Sequence, residues 1–316
     1  MLTQNHDSKD APNVAILLCT MQGVTYLPEQ IDSIVSQEHK SWSIWASDDG
    51  SSDGTLSVLD NYQETLGREK ISIKRGPSSG FVANFLSLTC HEDIRAEYYA
   101  FADQDDIWET NKLARALECL QKIPKDVPAL YCSRTRYVDA LNKEIGLSRW
   151  YKKPPNFANA MVQSIGGGNT MVFNDAARQL LRTAGNHVDV ISHDWWVYMV
   201  VSGCGGKVIF DPAASVRYRQ HDSNLVGGNT SLLAGFERMK MVAGGRLKFW
   251  NDANLAALQS IKTLLTQENQ KLFDEFSESR SKGMYSRLQG IIKSGVYRQT
   301  FLGNLGLIAA SIFKKL

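Results

Sequence analysis

Asp103-Gln-Asp-Asp106 sets three carboxylates directly behind the apolar run Tyr98-Tyr-Ala-Phe-Ala102. Side chains alternate along a strand, so Asp103 and Asp105 leave the end of that run on one face. Like charges at this spacing repel one another, and a cation relieves them. Oxygen ligands with no Cys or His between them suit Mg²⁺ or Mn²⁺, which is usually shared with a substrate phosphate. The plain alternative is an acidic loop that caps a helix starting near Glu109.

Other chemistry-bearing groups fall at comparable places. Asp48-Asp-Gly-Ser-Ser-Asp-Gly-Thr55 ends a second apolar run, Trp42 to Ala46. Asp48 and Asp53 also suit a turn and a helix cap. Thr20 closes the first apolar run, where a strand-end hydroxyl tied to backbone is the competing reading. His193-Asp194 opens an apolar helix beside Trp195 and Trp196. A carboxylate there is partly desolvated, which raises its pKa toward that of a working base. Ser192-His-Asp equally reads as an N-cap. Arg75 follows a short strand, and its planar fork suits a base or a diphosphate. Arg217, Arg219 and His221 lie on one late segment, and Gly166-Gly-Gly168 marks a backbone that bends sharply or admits a close approach.

These groups need a frame that gathers distant segments. Val14 to Cys19 is an unbroken apolar run, the pattern of a strand covered on both faces of a parallel sheet. Helical spacing over 27–37, 55–66, 81–89 and 111–120 alternates with strands at 42–46, 71–74 and 98–102. That βαβαβαβα order implies a parallel sheet with right-handed crossovers, whose ligands collect beyond the carboxyl ends of the strands. Thr20, Asp48, Asp49, Asp103 and Asp105 all fall at such ends. From Leu130 the pattern changes. Strands are expected at 130–137, 208–211 and 216–221, a loop at 150–159, and helices at 193–201, 232–241, 254–265 and 284–292.

Bulk properties exclude several classes. The chain has 316 residues, net charge +2 and pI near 8.2, so no global basic field points to nucleic acid. Its five cysteines are scattered, without a CxxC pair, as expected for reduced thiols in a cytosolic protein. Residues 1–12 read as a polar, disordered leader without a signal-peptide core. No apolar run approaches the roughly 20 residues that span a bilayer.

Taken in order, Thr20, Asp48-Asp-Gly-Ser-Ser-Asp53, Asp103-Gln-Asp-Asp106, His193-Asp194 and Arg219-Gln-His221 resemble a family 2 glycosyltransferase. The likeness is greatest to the rhamnosyltransferase-like branch that builds bacterial O-antigen and capsular polysaccharides, and it covers roughly residues 13–230. It implies a GT-A fold: a Rossmann-like, mostly parallel sheet with flanking helices, a nucleotide half at 13–125 and an acceptor half at 126–230. A basic helical region follows at 231–316. The implied reaction is metal-dependent, inverting hexose transfer from a UDP- or dTDP-sugar to a saccharide, expected on a polyprenyl diphosphate lipid.

The resemblance also assigns roles. Asp49 accepts the imide N–H of uracil or thymine, with Thr20, Gln22, Asp48, Arg75, Asn84, Asp103 and Gln104 around the nucleotide. Asp105 and Asp103 hold Mg²⁺ or Mn²⁺, joined by His221. Asp194 is the general base that takes the acceptor hydroxyl's proton. Asp106, Gly167, Gly168, His193, Trp195 and Arg219 face donor or acceptor sugar. The first loop, Thr20-Met-Gln-Gly23, departs from the Thr-Tyr-Asn-Gly usual in relatives.

After Glu278 the chain has no acidic residue but carries Arg280, Lys282, Arg287, Lys293, Arg298, Lys314 and Lys315 beside the apolar stretch Phe301 to Phe313. Such a segment suits peripheral contact with the anionic cytoplasmic face of an inner membrane. The competing reading is a helix docked on the catalytic domain. Two rival functions remain: a sugar nucleotidyltransferase, which needs a basic Gly-rich loop that Thr20 to Gly23 lacks, and a non-catalytic nucleotide-sugar-binding module.

Overall fold

The computed structural model describes residues 11–220 and 246–316. The first ten leader residues, His221 and the helix expected at 232–241 lie outside the described residues. Strand β1 (Val14–Thr20) shows why an unbroken apolar run makes an interior strand. Its alternate residues enter two different cores. Ala15, Leu17 and Cys19 pack on one side with α3 (Phe81–Cys90) and α7 (His193–Gly203). Val14, Ile16 and Leu18 pack on the other with α1 (Leu27–Val35), α2 (Thr55–Leu66) and α4 (Lys112–Leu120). Each fully buried aliphatic chain contributes about 1.5–3 kcal/mol, so slipping this strand by one residue exchanges its two packed faces.

Around β1 lie β2 (Trp42–Asp48), β3 (Ile71–Arg75) and β4 (Tyr98–Ala102), in the order β3-β2-β1-β4, all parallel. The register pairs Thr20 with Asp48 and Asp48 with Arg75, which brings the three strand ends into one row. The sheet continues through β8 (Val172–Asn174), antiparallel to β4, then β6 (Ala129–Val138), β9 (Lys207–Arg219) and β5 (Ile107–Trp108). A hairpin strand, β7 (Glu144–Leu147), pairs with β6. The sheet is therefore mixed, with its parallel half carrying the acidic motifs.

Two expectations about the second half are corrected. The segments expected as separate strands near 208–211 and 216–221 form the single strand β9. Asp211-Pro212 reads as a stop, but the register with β6 shifts after Ser133, and the bulge takes up Pro212, which has no N–H to donate. The loop expected at 150–159 contains a short helix, α5 (Phe157–Ala160), capped by the Asn156 side chain on Asn159 N. Two helices escape the sequence pattern: α6 (Asp175–Ala184), capped by Asn174, and α9 (Gln267–Arg280), capped by Thr266. The remaining C-terminal elements are α8 (Arg246–Ser260), α10 (Met284–Ser294) and α11 (Phe301–Ile312).

Arg178 ties α6 to α3 and β4. It is buried and donates to Thr89 O (2.9 Å), His91 O (2.7 Å) and Tyr99 Oη (3.3 Å), with its guanidinium over the Tyr99 ring. Arg178→Met is expected to strand two buried carbonyls and to cost about 2–4 kcal/mol. Urea unfolding should show the midpoint fall at an unchanged m-value.

Candidate active site at the strand ends

The first acidic motif builds a turn. Asp48 Oδ1 accepts from Gly50 N (3.1 Å) and Ser51 N (2.7 Å), and Oδ2 accepts from Thr20 Oγ1 (2.8 Å) and Ser51 Oγ (2.6 Å). Four donors fill a carboxylate's capacity, and Asp48 and Thr20 are both buried. The expectation that these two side chains touch the nucleotide is corrected: they hold the loop. Asp53 does the same work, accepting from Thr55 N and Thr55 Oγ1 on one oxygen and from Val24 N on the other.

Gln22 occupies a left-handed backbone position (φ 53°), which Asn adopts more readily than Gln. Its amide compensates by clamping Ser52: Nε2 donates to Ser52 Oγ and Oε1 accepts from Ser52 N, both at 3.1 Å. Gln104 pairs with Met21 in both directions, Oε1 accepting from Met21 N (2.8 Å) and Nε2 donating to Met21 O (2.9 Å). A Cβ at Gly23 would overlap the Gln104 amide. These two glutamines thus fasten the first loop to the two acidic motifs.

Asp49 differs from Asp48. Oδ1 accepts from Ser78 N (2.6 Å) and Oδ2 from Gly80 N (2.9 Å), one donor on each oxygen. Each oxygen therefore keeps one acceptor position. Gly76 lies so close that a side chain there would meet Asp49 and Asn84. Arg75, at the end of β3, is exposed and has no ion-pair partner among the described residues. Asn84 is buried, accepting from Ser47 Oγ (2.5 Å) and donating to Ser47 O (3.0 Å). It fixes α3 to β2.

The second acidic motif splits in the same way. Asp103 and Asp105 are half-buried, whereas Asp106 is completely enclosed. Asp106 accepts from Asn169 Nδ2 (2.6 Å) and from Arg219 N (3.4 Å). Its expected contact with sugar hydroxyls is corrected, and so is the helix cap, because α4 starts from Asn111. Burial first, then the charges of Asp105 and Asp194, push Asp103 up to about 7, with Lys112 pulling the other way. Lys112 is buried, its Nζ 3.3 Å from the centre of the Trp108 ring, with no hydrogen-bond partner among the described residues. Burial holds it well below the usual lysine value.

The glycine-rich turn joins the two halves. Its Asn169 binds Asp106, and its Gly168 N–H donates to Asp194 Oδ2 at 3.2 Å. Asp194 Oδ1 accepts from Ser192 Oγ and from Trp195 N (2.6 Å), so Oδ2 has a position left. Gly167 is exposed at this edge, while Gly168 is buried because the His193 ring presses on it. His193 stacks on Phe85 (3.9 Å between centroids, 19°) and meets Phe101 edge-on (4.8 Å). Burial lowers it to about 4, so it packs as a neutral ring. Its expected sugar contact is corrected, as is that of Trp195, which is buried and donates to Ala160 O (2.6 Å).

Arg219 is 1% exposed and clasps Glu29 Oε2, Asp105 O (3.2 Å) and Ala140 O (2.8 Å) beneath the Tyr26 ring. It braces the backbone of the acidic motif. Arg217 pairs with Glu109 (3.0 Å). Sequence reading missed Lys112 and Asn169. A lysine in the first turn of a helix opposes the helix dipole, and that was the available signal. Two clefts of about 490 and 430 Å³ lie elsewhere, lined by Glu109, Arg136 and Arg217 and by Arg95, Tyr99 and Arg178; neither includes Asp103, Asp105 or Asp194.

A parallel nucleotide half, a mixed second half and carboxylates at the strand ends define a GT-A glycosyltransferase architecture. Solved structures agree. A mannosyltransferase from Pyrobaculum calidifontis, in complex with GDP-Man and Mn²⁺, superposes with TM-score 0.51 at 15% identity, over 92% of this chain and 88% of that one. S. aureus TarS 1-349, in complex with UDP-GlcNAc, gives 0.54 at 14% identity, over 96% and 89%. The sequence profile of glycosyl transferase family 2 matches residues 15–181, more than half of the chain, which therefore belongs to that family. Among its relatives is the dTDP-rhamnosyl transferase RfbG of Shigella flexneri, 27% identical over 242 residues, 71% of this chain and 78% of that protein.

The raised Asp103 makes a signed prediction. Its folded value lies above the ordinary 3.8, so the native chain holds that proton more tightly than the unfolded chain. Stability from this group is present below roughly pH 4 and is lost as pH rises through about 7. In EDTA, Asp103→Asn should be more stable than the parent by about 1–3 kcal/mol near pH 8, after discounting for partial exposure, and by nothing near pH 4. Urea melts at the two pH values check this.

Proposed function

We propose that the chain transfers a hexose from a dTDP- or UDP-linked donor to a saccharide acceptor, with inversion at the anomeric carbon. The observation that carries the reading is the bridge between two carboxylate sites: Asn169 binds Asp106 of the acidic motif while the adjacent Gly168 N–H donates to Asp194 at the start of α7. A base on one side of the cleft and a diphosphate site on the other is the arrangement an inverting transfer needs.

Asp103 and Asp105 fit a divalent cation. They are two half-open carboxylates at a strand end, and burial pushes down the lysine that acts on Asp103. No set of three His, Cys, Asp or Glu ligands is assembled among the described residues. That matches Mg²⁺ or Mn²⁺ held by one or two carboxylates and completed by substrate phosphate and water. His221 remains a further candidate ligand outside the described residues. When bound, the ion neutralises charge that develops on the departing diphosphate.

The remaining steps belong to the chain's own groups. Asp49 uses its open acceptor positions for the imide N–H that uracil and thymine share. Gln22 and Gln104 set the loop over the base, and exposed Arg75 reaches the base or diphosphate. Gly168 N–H and Ser192 orient Asp194, whose Oδ2 takes the proton of the acceptor hydroxyl. Gly167 lets the acceptor approach backbone closely. The similarity to RfbG supports a dTDP-sugar as the first donor to try and surface polysaccharide synthesis as the setting. A polyprenyl-diphosphate-linked acceptor would place the reaction at the cytoplasmic face of an inner membrane.

Asp194→Asn is expected to lower kcat by roughly 10²–10⁴-fold, the usual worth of a general base, with donor affinity nearly unchanged. Asp105→Ala should abolish both turnover and the dependence of donor binding on Mn²⁺. Transfer assays with labelled donor, together with donor titrations, check the pair. Turnover that survives Asp105→Ala would contradict the reading.

A further inference from the structure

Helix α11 presents the reverse of an ordinary surface helix. It buries Leu307, Ala310 and Ser311, while Phe301, Leu302, Leu305 and Ile308 are 41–77% exposed. Phe301, Leu305, Ile308 and Ile312 fall at i, i+4, i+7 and i+11, one stripe along the helix. No charged residue occurs between Phe301 and Phe313. Phe313, directly after the helix, is 72% exposed. The neighbouring α10 exposes Met284, Tyr285 and Ile292, and Arg287 fastens it to the end of α11 by donating to Ser311 O (2.6 Å) and Ile312 O (2.9 Å). A contiguous apolar surface of this kind marks an interaction site.

The charge around it is narrower than the sequence suggests. Arg280 is spent on Asp252 (2.6 Å), Arg287 on helix carbonyls and Arg298 on Val162 O (3.0 Å). Lys282 pairs with Glu278 (3.4 Å), while Lys293 and Lys314 remain exposed, with Lys315 half-buried. Neither helix carries an acidic residue.

We propose that the exposed face of α11, with the adjoining α10, docks on an anionic lipid bilayer surface. Apolar side chains with lysines near the ends of their helices suit insertion at the headgroup boundary. A second copy of this chain suits the face less well. A two-fold interface would set the same uncompensated lysines against one another. At 12 residues, α11 is about 18 Å long and does not cross a membrane, so it lies in the interface plane. This surface is independent of the carboxylate site and stands or falls separately from the proposed reaction.

Flotation of the full chain with vesicles tests it. Vesicles of phosphatidylcholine and phosphatidylglycerol in a two-to-one ratio should carry the protein to the top of the gradient, and vesicles of phosphatidylcholine alone should not. The double variant Phe301→Ser/Leu302→Ser should partition at least about tenfold less, given the apolar area removed. Lys293→Glu/Lys314→Glu should lose binding likewise and lies wholly on the surface, so it keeps the test valid if the first variant folds poorly. Melting temperature and donor binding serve as folding controls. Failure of the parent to float would overturn the proposal. So would equal flotation with both vesicle types, or a lipid-free dimer in sedimentation that Phe301→Ser/Leu302→Ser dissociates.

Discussion

The structure is organised around carboxylates that repel one another at the rim of a sheet. Asp103 is held near neutrality by burial and by the charges of Asp105 and Asp194. Burial holds the lysine beside it well below the usual lysine value. On the proposed reading, such a rim is costly alone and becomes favourable when a cation and its diphosphate bind.

Holding that rim takes a division of labour among similar residues. Asp48 is saturated by four donors, Asp53 fastens the first loop and Asp106 is completely enclosed against Asn169, whereas Asp49 and the half-buried Asp194 keep acceptor positions. The glycine-rich turn is the link between the halves. Asn169 binds the acidic motif after β4, and the adjacent Gly168 N–H binds Asp194 at the start of α7. Because His193 packs against Gly168 from a slot formed with Phe85 and Phe101, the position of Asp194 is set by the hydrophobic core as well as by hydrogen bonds. Packing and reactivity therefore meet in one short segment.

The parallel half was legible because its central strands β1 and β4 are buried on both faces and leave unbroken apolar runs, as at Val14 to Cys19. The second half was less so. Pro212 looked like a terminator, yet a bulge absorbs it, and α6 and α9 carry few core residues beyond their caps. At the rim, the motifs named residues that the site depends on without saying how. Thr20, Asp48, Asn84, Asp106, His193 and Arg219 occur at the expected positions but face inward, toward loop N–H groups, backbone carbonyls or aromatic rings. A linear pattern records that a carboxylate is needed, while its burial and the donors around it show whether it fastens a loop or stays open.

The most direct test is calorimetric titration of dTDP-rhamnose, UDP-glucose, UDP-galactose and UDP-N-acetylglucosamine into the purified chain, first with Mn²⁺ and then with EDTA. Binding of one donor that is at least about tenfold tighter with Mn²⁺ is the result expected if Asp103 and Asp105 share the cation with a diphosphate. Absence of binding by every donor, with and without metal, would contradict the nucleotide-sugar site itself.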